Sequence, residues 1–541
     1  MSLMNTDYDA VIVGGGLAGA TLARQLKLEK PSLRVMVVER RKHPVREAAF
    51  KVGESSVEIG AHYFQKILGL EPHLRSAQLE KLGLRYFFPN EGNTDIATRV
   101  ELGPATFPPV PSFQLDRGRL ENMLLRTVAE SGTTVFDDAR VRAVTLGNEG
   151  HRVSLSTAGG PRQCTTRWLI DASGRAGLLK RQLGLARPSS HTANAAWFRI
   201  NTRVRLDDWS DDPAWRSRVP SGQRWLSTNH LMGAGYWVWL IPLGSGSTSF
   251  GIVADANLHP FNRLNRFERA MDWLNEFEPQ CAKAVAAHAD GLEDFLALQH
   301  FAHGCGRVFS PERWAMVGEA GVFTDPFYSP GSDFIAMGND AVTDLVLRDT
   351  GGEDISARAE AFNTTYLRLF DAFIRLYDGQ YRMMGNAQVM TAKVSWDNAC
   401  YWGITALLFF QRRYRQPEFI ASIEPLMRRF FVLHARMQSL FNAWDRADAT
   451  PYAGAAVNVM DVAFLRRLQH SLAGPRLEDS DLRARLETNF ALLESFARTW
   501  QAVAAERYPA LARFVSASAN DDSAVERDIA ALRLTPVRVG V

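Results

Sequence analysis

The spacing of apolar positions changes along the chain, and each change predicts a different layer of the fold. Tyr8 to Val13 ("YDAVIV") is a short apolar run, the pattern of a strand buried on both faces. A glycine-rich turn follows, then "LAGATLARQLKLE" with apolar residues at helical spacing, then a second apolar run ending in "VMVVER". Strand, turn, helix and strand in this order predict a parallel sheet with helices on its faces. From about Glu101 to Gly177 come a proline-rich loop ("GPATFPPVPSF"), a helix ("LENMLLRTVAESG") and strands ending in "RWLIDASGR". From about Asn194 to Ala254 the pattern becomes short alternating segments ("AWFRINTRVRL", "GSTSFGIVAD"), which predict an antiparallel sheet interrupting the first domain. "RWAMVGEAGVFTDPF", Arg313 to Phe327, reads as one more strand and turn returning to that domain. After Asp354, stretches such as "ARAEAFNTTYLRLFDAFIRLYDGQYRMM" space their apolar residues as helices do. The fold class is therefore α/β, more fully α+β. Residues 1–190 with 300–350 form a discontinuous first domain, 191–299 an antiparallel insertion, and 351–541 a helical C-terminal subdomain.

The bulk properties narrow the class. At 541 residues the chain is too long for one compact core. A formal charge of +3 gives no reason to expect nucleic acid or an anionic membrane as partner. Cys164, Cys281, Cys305 and Cys400 are widely spaced and form no CxxC pair, which argues against a metal site or disulfide framework and suits a reducing compartment. No secretory signal pattern is visible, and the apolar run "YWGITALLFF" is too short to span a bilayer and reads as a buried helix. The expectation is a cytoplasmic protein with no membrane span.

The first chemical signal is the turn after Val13. Gly14, Gly16 and Gly19 make a GxGxxG between an apolar strand and a helix, and Glu39 closes the second strand. Glycine there lets a pyrophosphate approach the backbone and rest on the helix N-terminus, while the carboxylate accepts ribose hydroxyls. These elements together predict a dinucleotide cofactor.

Three later segments choose among dinucleotides. "QLDRGRLENMLL" resembles the stretch of flavoprotein hydroxylases in which an arginine holds the cofactor; Arg119, or else Arg117, is that residue. "LIDASGRAG" places Asp171 to Gly174 at a second strand-end turn able to close over an adenosine. "VGEAGVFTDPFYSPG" resembles the GDxxxxxDP segment of the same proteins, with Gly318, Asp325 and Pro326 matching and Glu319 in place of the usual aspartate. Their order implies FAD on a Rossmann-like domain of the p-hydroxybenzoate-hydroxylase type. No second GxGxxG serves a nicotinamide, so reduced FAD is expected from a separate, NADH-dependent flavin reductase.

"GYWVWLIPLG" sharpens the resemblance. Trp237, Trp239, Ile241 and Pro242 fill the W-x-W-x-I-P pattern of the flavin-dependent halogenases, whereas geranylgeranyl-reductase-like flavoproteins carry Y-x-W-x-F-P. A period of two puts both indoles on one face of a strand. "KVGESSVEIGAHYFQKILGLEPHL" resembles the halogenase loop and helix that pass the flavin, centred on Val52, Gly53, Glu54 and Ser55. The family's essential lysine lies on the strand after this helix. Lys81 occupies that place, with Lys66 and Lys51 as rivals.

The resemblance implies that reduced FAD and O2 oxidise chloride or bromide to hypohalous acid, which travels through the interior to Lys81. Trp237 and Trp239 would keep organic substrate off the flavin, and a desolvated Lys81 would hold or receive the halogen. The halide would lie against backbone N–H groups of the turn Tyr328, Ser329, Pro330, Gly331 and Ser332. Pro330 has no N–H to give, which leaves Gly331 and Ser332 as donors. Tyr328 and Ser329 stand where tryptophan halogenases have Glu-Ser, which points to a phenolic or otherwise electron-rich aryl substrate, free or bound to an acyl carrier protein. Three alternatives remain open on sequence: an aromatic monooxygenase, an isoprenoid-reducing flavoprotein, and a non-catalytic flavin-binding scaffold.

Overall fold

The computed structural model of the chain describes residues 6–50, 52–515 and 523–537. Two large sheets and a helical C-terminal region share one large apolar core, and the second sheet packs a separate one on its other face. In the first sheet, Tyr8–Val13 lies between Val35–Val38 and Gly160–Asp171, all parallel, with Thr134–Phe136 beyond Val35–Val38. Trp314–Met316 joins Gly160–Asp171 in parallel, so the segment around Arg313 to Phe327 does return to this sheet. The helices Leu17–Glu29 and Arg117–Glu130 pack against each other beside it.

The second sheet has eight strands. Leu292–Leu298, Ala193–Ile200, Thr248–Asp255, Tyr236–Pro242 and Thr228–Gly233 are antiparallel neighbours, as the alternation predicts. The sheet does not stop at residues 191–299. Leu84–Phe87 continues it in parallel from Thr228–Gly233, and Glu101–Leu102 and Ala456–Val457 complete the edge. These recruited strands are only two to four residues long, too short to show a period of two in sequence.

The C-terminal region is helical, as expected: Ser356–Ile374, Ala387–Cys400, Glu424–Ala447 and Asp479–Arg507 are its main elements. The "YWGITALLFF" run is buried, but Tyr401–Ala406 is wound as a π-helix before Leu407–Phe410 resumes the α form. Such widened turns re-aim side chains and often border functional sites. Among the described residues no helix is long and apolar enough to cross a membrane.

Candidate functional site

The glycine turn has the geometry that a dinucleotide needs. Gly14 adopts φ +112, and a Cβ on it would lie 2.4 Å from the carbonyl oxygen of Ala172 on the adjacent turn. A Cβ on Gly19 would lie 1.9 Å from the Gly14 carbonyl oxygen, so helix Leu17–Glu29 rests directly on the turn. At Gly16 nothing lies within 4 Å, leaving open space over the helix N-terminus. Glu39 is held by backbone donors, Gly15 N–H to Oε2 at 2.7 Å and Arg41 N–H to Oε1 at 2.8 Å. Each oxygen keeps a lone pair for a ribose hydroxyl. Close backbone, open anion position and an oriented carboxylate all fit FAD.

Asp171 belongs to the second turn and spends its carboxylate within it, accepting from Ser173 N–H and Leu179 N–H at 2.9 and 2.8 Å. Of the two candidate arginines, the structure turns Arg119 away: it pairs with Glu47 at 2.8 Å and donates to the Ala77 carbonyl at 3.1 Å. Arg117 takes the place expected of Arg119. It lines the cleft beyond the glycine turn, donates to the Val52 carbonyl at 2.6 Å, and pairs with Glu121, whose Oε1 also accepts Leu17 N–H. One helical position separates opposite directions, since residues two apart on a helix do not share a face.

That cleft is lined by Val52, Gly53, Glu54, Trp237, Trp239, Gly318, Glu319, Asp325, Pro326, Ser329, Gly331 and Ser332, with Ser55, Thr228 and His230. Most of the expected cofactor and halide residues outside the first turn are therefore gathered in one place, while Arg119, Asp171, Tyr328 and Pro330 are not among them. Trp237 and Trp239 are 1% and 3% exposed, their ring centroids 5.7 Å apart. Strand pairing sets Gly251 opposite Trp239, and a Cβ there would fall 2.1 Å from the indole. The Trp239 indole donates to Ser249 Oγ at 3.1 Å. That of Trp237 donates to Tyr381 OH at 3.0 Å, and Tyr381 in turn donates to Asp325 Oδ2 at 2.5 Å. Asp325 also bonds His191 at 2.6 Å. A residue of the helical region thus ties the indole wall to the Asp325-Pro326 turn.

A second cavity adjoins the cleft. Lys81, Glu58, Tyr86, Tyr328, Pro330, Asp333 and Asp397 line it, with apolar residues of the helical region such as Phe373, Val394 and Phe430. The turn after Asp325-Pro326 forms the partition. Ser329, Gly331 and Ser332 face the cleft, whereas Tyr328 and Pro330 face the cavity. Tyr328 and Ser329 both adopt left-handed backbone, φ 67 and 58, ahead of helix Gly331–Thr350, and the two side chains line different chambers. Pro330 caps that helix from the cavity side, so its missing N–H is not subtracted from the cleft. The N–H groups of Gly331 and Ser332 find no acceptor among the described residues, nor does the buried Ser332 hydroxyl.

Lys81 stands at the join. It follows the two-residue strand Leu79–Glu80, is 1% exposed, and donates to Ser55 Oγ at 2.9 Å and the Ser56 carbonyl at 2.8 Å. Ser55 lines the cleft and is also bonded to Thr228 Oγ1 at 2.8 Å. Burial pushes the Lys81 ammonium down to about 7, with Glu58 and Asp333 partly opposing the shift. Burial pushes Asp333 up to about 7 and raises Glu58 as well. Asp333 accepts from Tyr401 OH at 2.7 Å and Gly60 N–H at 2.9 Å. Glu58 accepts from Trp402 Nε1 and Gln469 Nε2 at 2.9 and 2.7 Å. Of the rival lysines, Lys66 is exposed and paired with Glu71 at 2.9 Å, and Lys51 lies outside the described residues.

Several residues of the site were singled out by no motif in the sequence: Tyr86, His230, Asp333 and Asp397 among the lining, and Tyr381, which reaches Trp237 and Asp325; Glu58 lay inside the halogenase-like stretch without being picked out. His230 is buried and neutral, its pKa pushed down to about 3 by desolvation, with Nδ1 donating to the Arg85 carbonyl at 3.0 Å. The one available signal was the period of two placing His230 with Thr228 on one face of Thr228–Gly233.

Comparison with known proteins agrees with this geometry. The FAD binding domain family matches residues 7–259. A flavin-dependent halogenase of Dictyostelium discoideum (chlA) is 28% identical over 430 residues, covering 73% of this chain and 70% of that protein. A 1H-pyrrole-2-carbonyl-(peptidyl-carrier protein) chlorinase of Pseudomonas fluorescens is 26% identical over 351 residues, covering 60% of this chain and 72% of the relative. Among solved structures, halogenase PltM shares the fold with a TM-score of 0.63 at 18% identity, over 90% of this chain and 96% of its own.

Proposed function

This chain is a flavoprotein of the flavin-dependent halogenase family, and from that premise we propose that it uses reduced FAD, O2 and chloride or bromide to halogenate an electron-rich aryl group. The observation that carries the reading is Lys81, buried in the lining of the cavity next to the cleft and bonded to a serine that lines the tryptophan-walled cleft. Bound in the cleft, reduced FAD supplies the oxidation of halide to hypohalous acid with O2. A separate flavin reductase provides it.

The chain's own residues do the rest. The free N–H groups of Gly331 and Ser332, at a helix N-terminus, hold the halide. Trp237 and Trp239 fill the cleft wall and exclude an aromatic ring from it. The Ser55, Thr228 and Ser332 hydroxyls border the way through; they can hydrogen-bond hypohalous acid without offering it an easily halogenated group. At Lys81 the ammonium donates to the hypohalous oxygen and polarises the O–X bond. A pKa near 7 also leaves free amine, which can take the halogen itself: N–X forms, O–X breaks, and oxygen leaves as water. The ring carbon then forms C–X as the N–X or O–X bond breaks, its electron pair staying on nitrogen or oxygen, and the ring proton passes to the Glu58 or Asp333 carboxylate, so that arene and hypohalous acid yield haloarene and water. Holding the ring beside Lys81 sets the position of attack.

The carrier-bound pyrrole named for the Pseudomonas fluorescens relative supports delivery on a carrier protein as a second route for the aryl group. The test needs no substrate. Protein loaded anaerobically with reduced FAD is mixed with oxygen, bromide and a small thioether that traps hypohalous acid. Trap oxidation that rises saturably with bromide is the expected result. Trap oxidation indifferent to bromide and chloride defeats the halogenase reading in favour of direct oxygenation.

A further inference from the structure

The turn that separates cleft and cavity is held from outside itself. Tyr328 and Ser329 are consecutive residues with left-handed backbone, a conformation that a Cβ disfavours. Within the turn, the backbone contributes Ser329 N–H to the Pro326 carbonyl at 2.9 Å. Four phenol hydroxyls add bonds to the helical region. Tyr381 OH donates to Asp325 Oδ2 at 2.5 Å and Tyr377 OH to the Phe327 carbonyl at 3.0 Å. Tyr328 OH donates to Asp397 Oδ2 at 3.0 Å and Tyr401 OH to Asp333 Oδ2 at 2.7 Å. Each joins the segment from Asp325 to Asp333 to the helical region, where all four partners lie between residues 377 and 401.

Three of the four bonds end on a carboxylate, and hydrogen bonds to charged acceptors are the stronger kind. Burial first, and neighbouring carboxylates second, hold the Tyr328, Tyr377, Tyr381 and Tyr401 phenols well above their ordinary range, so all four keep the proton they donate. Asp397, on helix Ala387–Cys400, is itself fixed. Its Oδ2 also accepts Lys393 Nζ at 2.9 Å, and its Oδ1 accepts Gln438 Nε2 at 2.8 Å. Lys393 in turn donates to Gln438 Oε1 at 2.5 Å, so the anchor spans helices Ala387–Cys400 and Glu424–Ala447. The Tyr328 ring packs on Phe327, centroids 4.4 Å apart, and lies 6.3 Å from Tyr377.

We infer that Tyr328 and Tyr377 are positioning residues for the halide: their hydroxyls, braced by the helical region, fix the turn so that the Gly331 and Ser332 N–H groups stay at the cleft. This rests on the halogenase reading and adds to it the elements that hold the halide turn. Backbone donors bind an anion well only when they are oriented beforehand, since reordering a turn on binding is subtracted from affinity. Neither tyrosine lines the cleft, so both act through the backbone rather than by touching the halide. Halide affinity therefore depends on their hydroxyls, and FAD affinity does not. The helical region is then more than a wall of the Lys81 cavity, because its segment 377–401 sets the halide site in the neighbouring cleft.

The test compares halide and FAD affinity in the oxidised, FAD-loaded protein. Chloride binding is read from broadening of the chloride NMR line and its reversal by bromide, and FAD affinity from fluorescence titration. Tyr328→Phe and Tyr377→Phe should each weaken chloride binding about threefold or more, and the double variant about tenfold or more, with FAD affinity within about twofold of wild type. The bromide concentration that half-saturates thioether oxidation should rise in parallel. Tyr328→Phe loses a hydroxyl alone, Asp397 keeping Lys393 and Gln438, and Tyr377→Phe decides if that variant folds poorly. Tyr508→Phe is the control: it removes a phenol–carboxylate bond of 2.7 Å, to Asp448, between two residues of the helical region, and should leave chloride affinity unchanged. Wild-type chloride affinity in the folded variants, an equal loss in Tyr508→Phe, or FAD affinity falling together with chloride affinity overturns the positioning role while the halogenase reading stands. Wild-type protein that binds no chloride and oxidises the trap without bromide overturns both.

Discussion

The tryptophan-lined cleft and the Lys81 cavity are neighbours separated by one turn, yet they are built differently. The cleft draws on residues 17–335, and most of its wall is strand, glycine turn or helix N-terminus. Its polar atoms are backbone N–H groups and hydroxyls, together with Glu54, Arg117, Glu319 and Asp325, each of which is already bonded to a partner of opposite or complementary kind. The cavity draws on residues 57–469, and its chemistry lies in buried charged side chains, Lys81, Glu58, Asp333 and Asp397, set among apolar residues of the helical region. In the cleft the ionisable side chains are paired off, whereas in the cavity Lys81 lies out of water and is bonded, among the described residues, to neutral acceptors alone. In the halogenation proposed above, this difference is put to use as a division of labour: the oxidant forms in the cleft and is spent beside a lysine and carboxylates that handle protons. The two are also tied by single residues. Tyr381 holds Trp237 to Asp325, and Tyr328 holds the turn to Asp397.

The largest expected effect comes from removing the lysine. Lys81→Met should lower arene halogenation by a factor on the order of a hundred or more, while the bromide-dependent thioether oxidation described above persists. Loss of both together would put Lys81 in the cleft chemistry and break the comparison.

Next is the indole wall. Gly251→Ala places a methyl 2.1 Å from Trp239 and should cost about 1–3 kcal/mol in urea unfolding. A displaced indole should also admit substrate to the cleft, seen as halide-independent consumption of reduced FAD. A variant that unfolds no more easily than the wild type would mean that the indole has room to move.

The same substitution at Lys81 gives a pH test. The native pKa near 7 lies below that of the unfolded lysine. Between about 7 and 10 the unfolded chain therefore holds the extra proton, and stability rises with pH. Asp333, raised to about 7, acts oppositely: its contribution is lost as pH rises from about 4 to 7. The Tm advantage of Lys81→Met over wild type should be greatest at or below pH 7 and shrink towards pH 10. A pH-independent difference would show that Lys81 is not desolvated.

The smallest effect belongs to the tie. Tyr381→Phe removes the hydroxyl shared by Trp237 and Asp325 and should lower stability by about 1–2 kcal/mol, with FAD affinity by fluorescence titration nearly unchanged. Affinity that falls with stability would place Tyr381 in cofactor binding instead.

Legibility in the sequence followed the same divide. The glycine turn, the indole pair and the Asp325-Pro326 segment could be read because each is a local arrangement whose spacing encodes its geometry. Glycines answer to backbone approach, and a period of two sends both indoles to one face. Arg117 against Arg119 could not be read, since it turns on which side of one helix meets the cleft. Nor could the reach of the second sheet, because strands of two to four residues leave no periodic trace. The cavity was the least legible part. Lys81 was located only by its place after a family-like helix, and its near-neutral pKa comes from burial by elements hundreds of residues away. Asp397 and Tyr86 are unremarkable in sequence, an acid within a helix and a tyrosine within a strand. By itself, then, the sequence determined the elements, the cofactor turn and the indole wall, since short-range stereochemistry governs those. Only the tertiary structure decided which charged groups lose water together, because desolvation depends on everything packed around an atom and on nothing local to it.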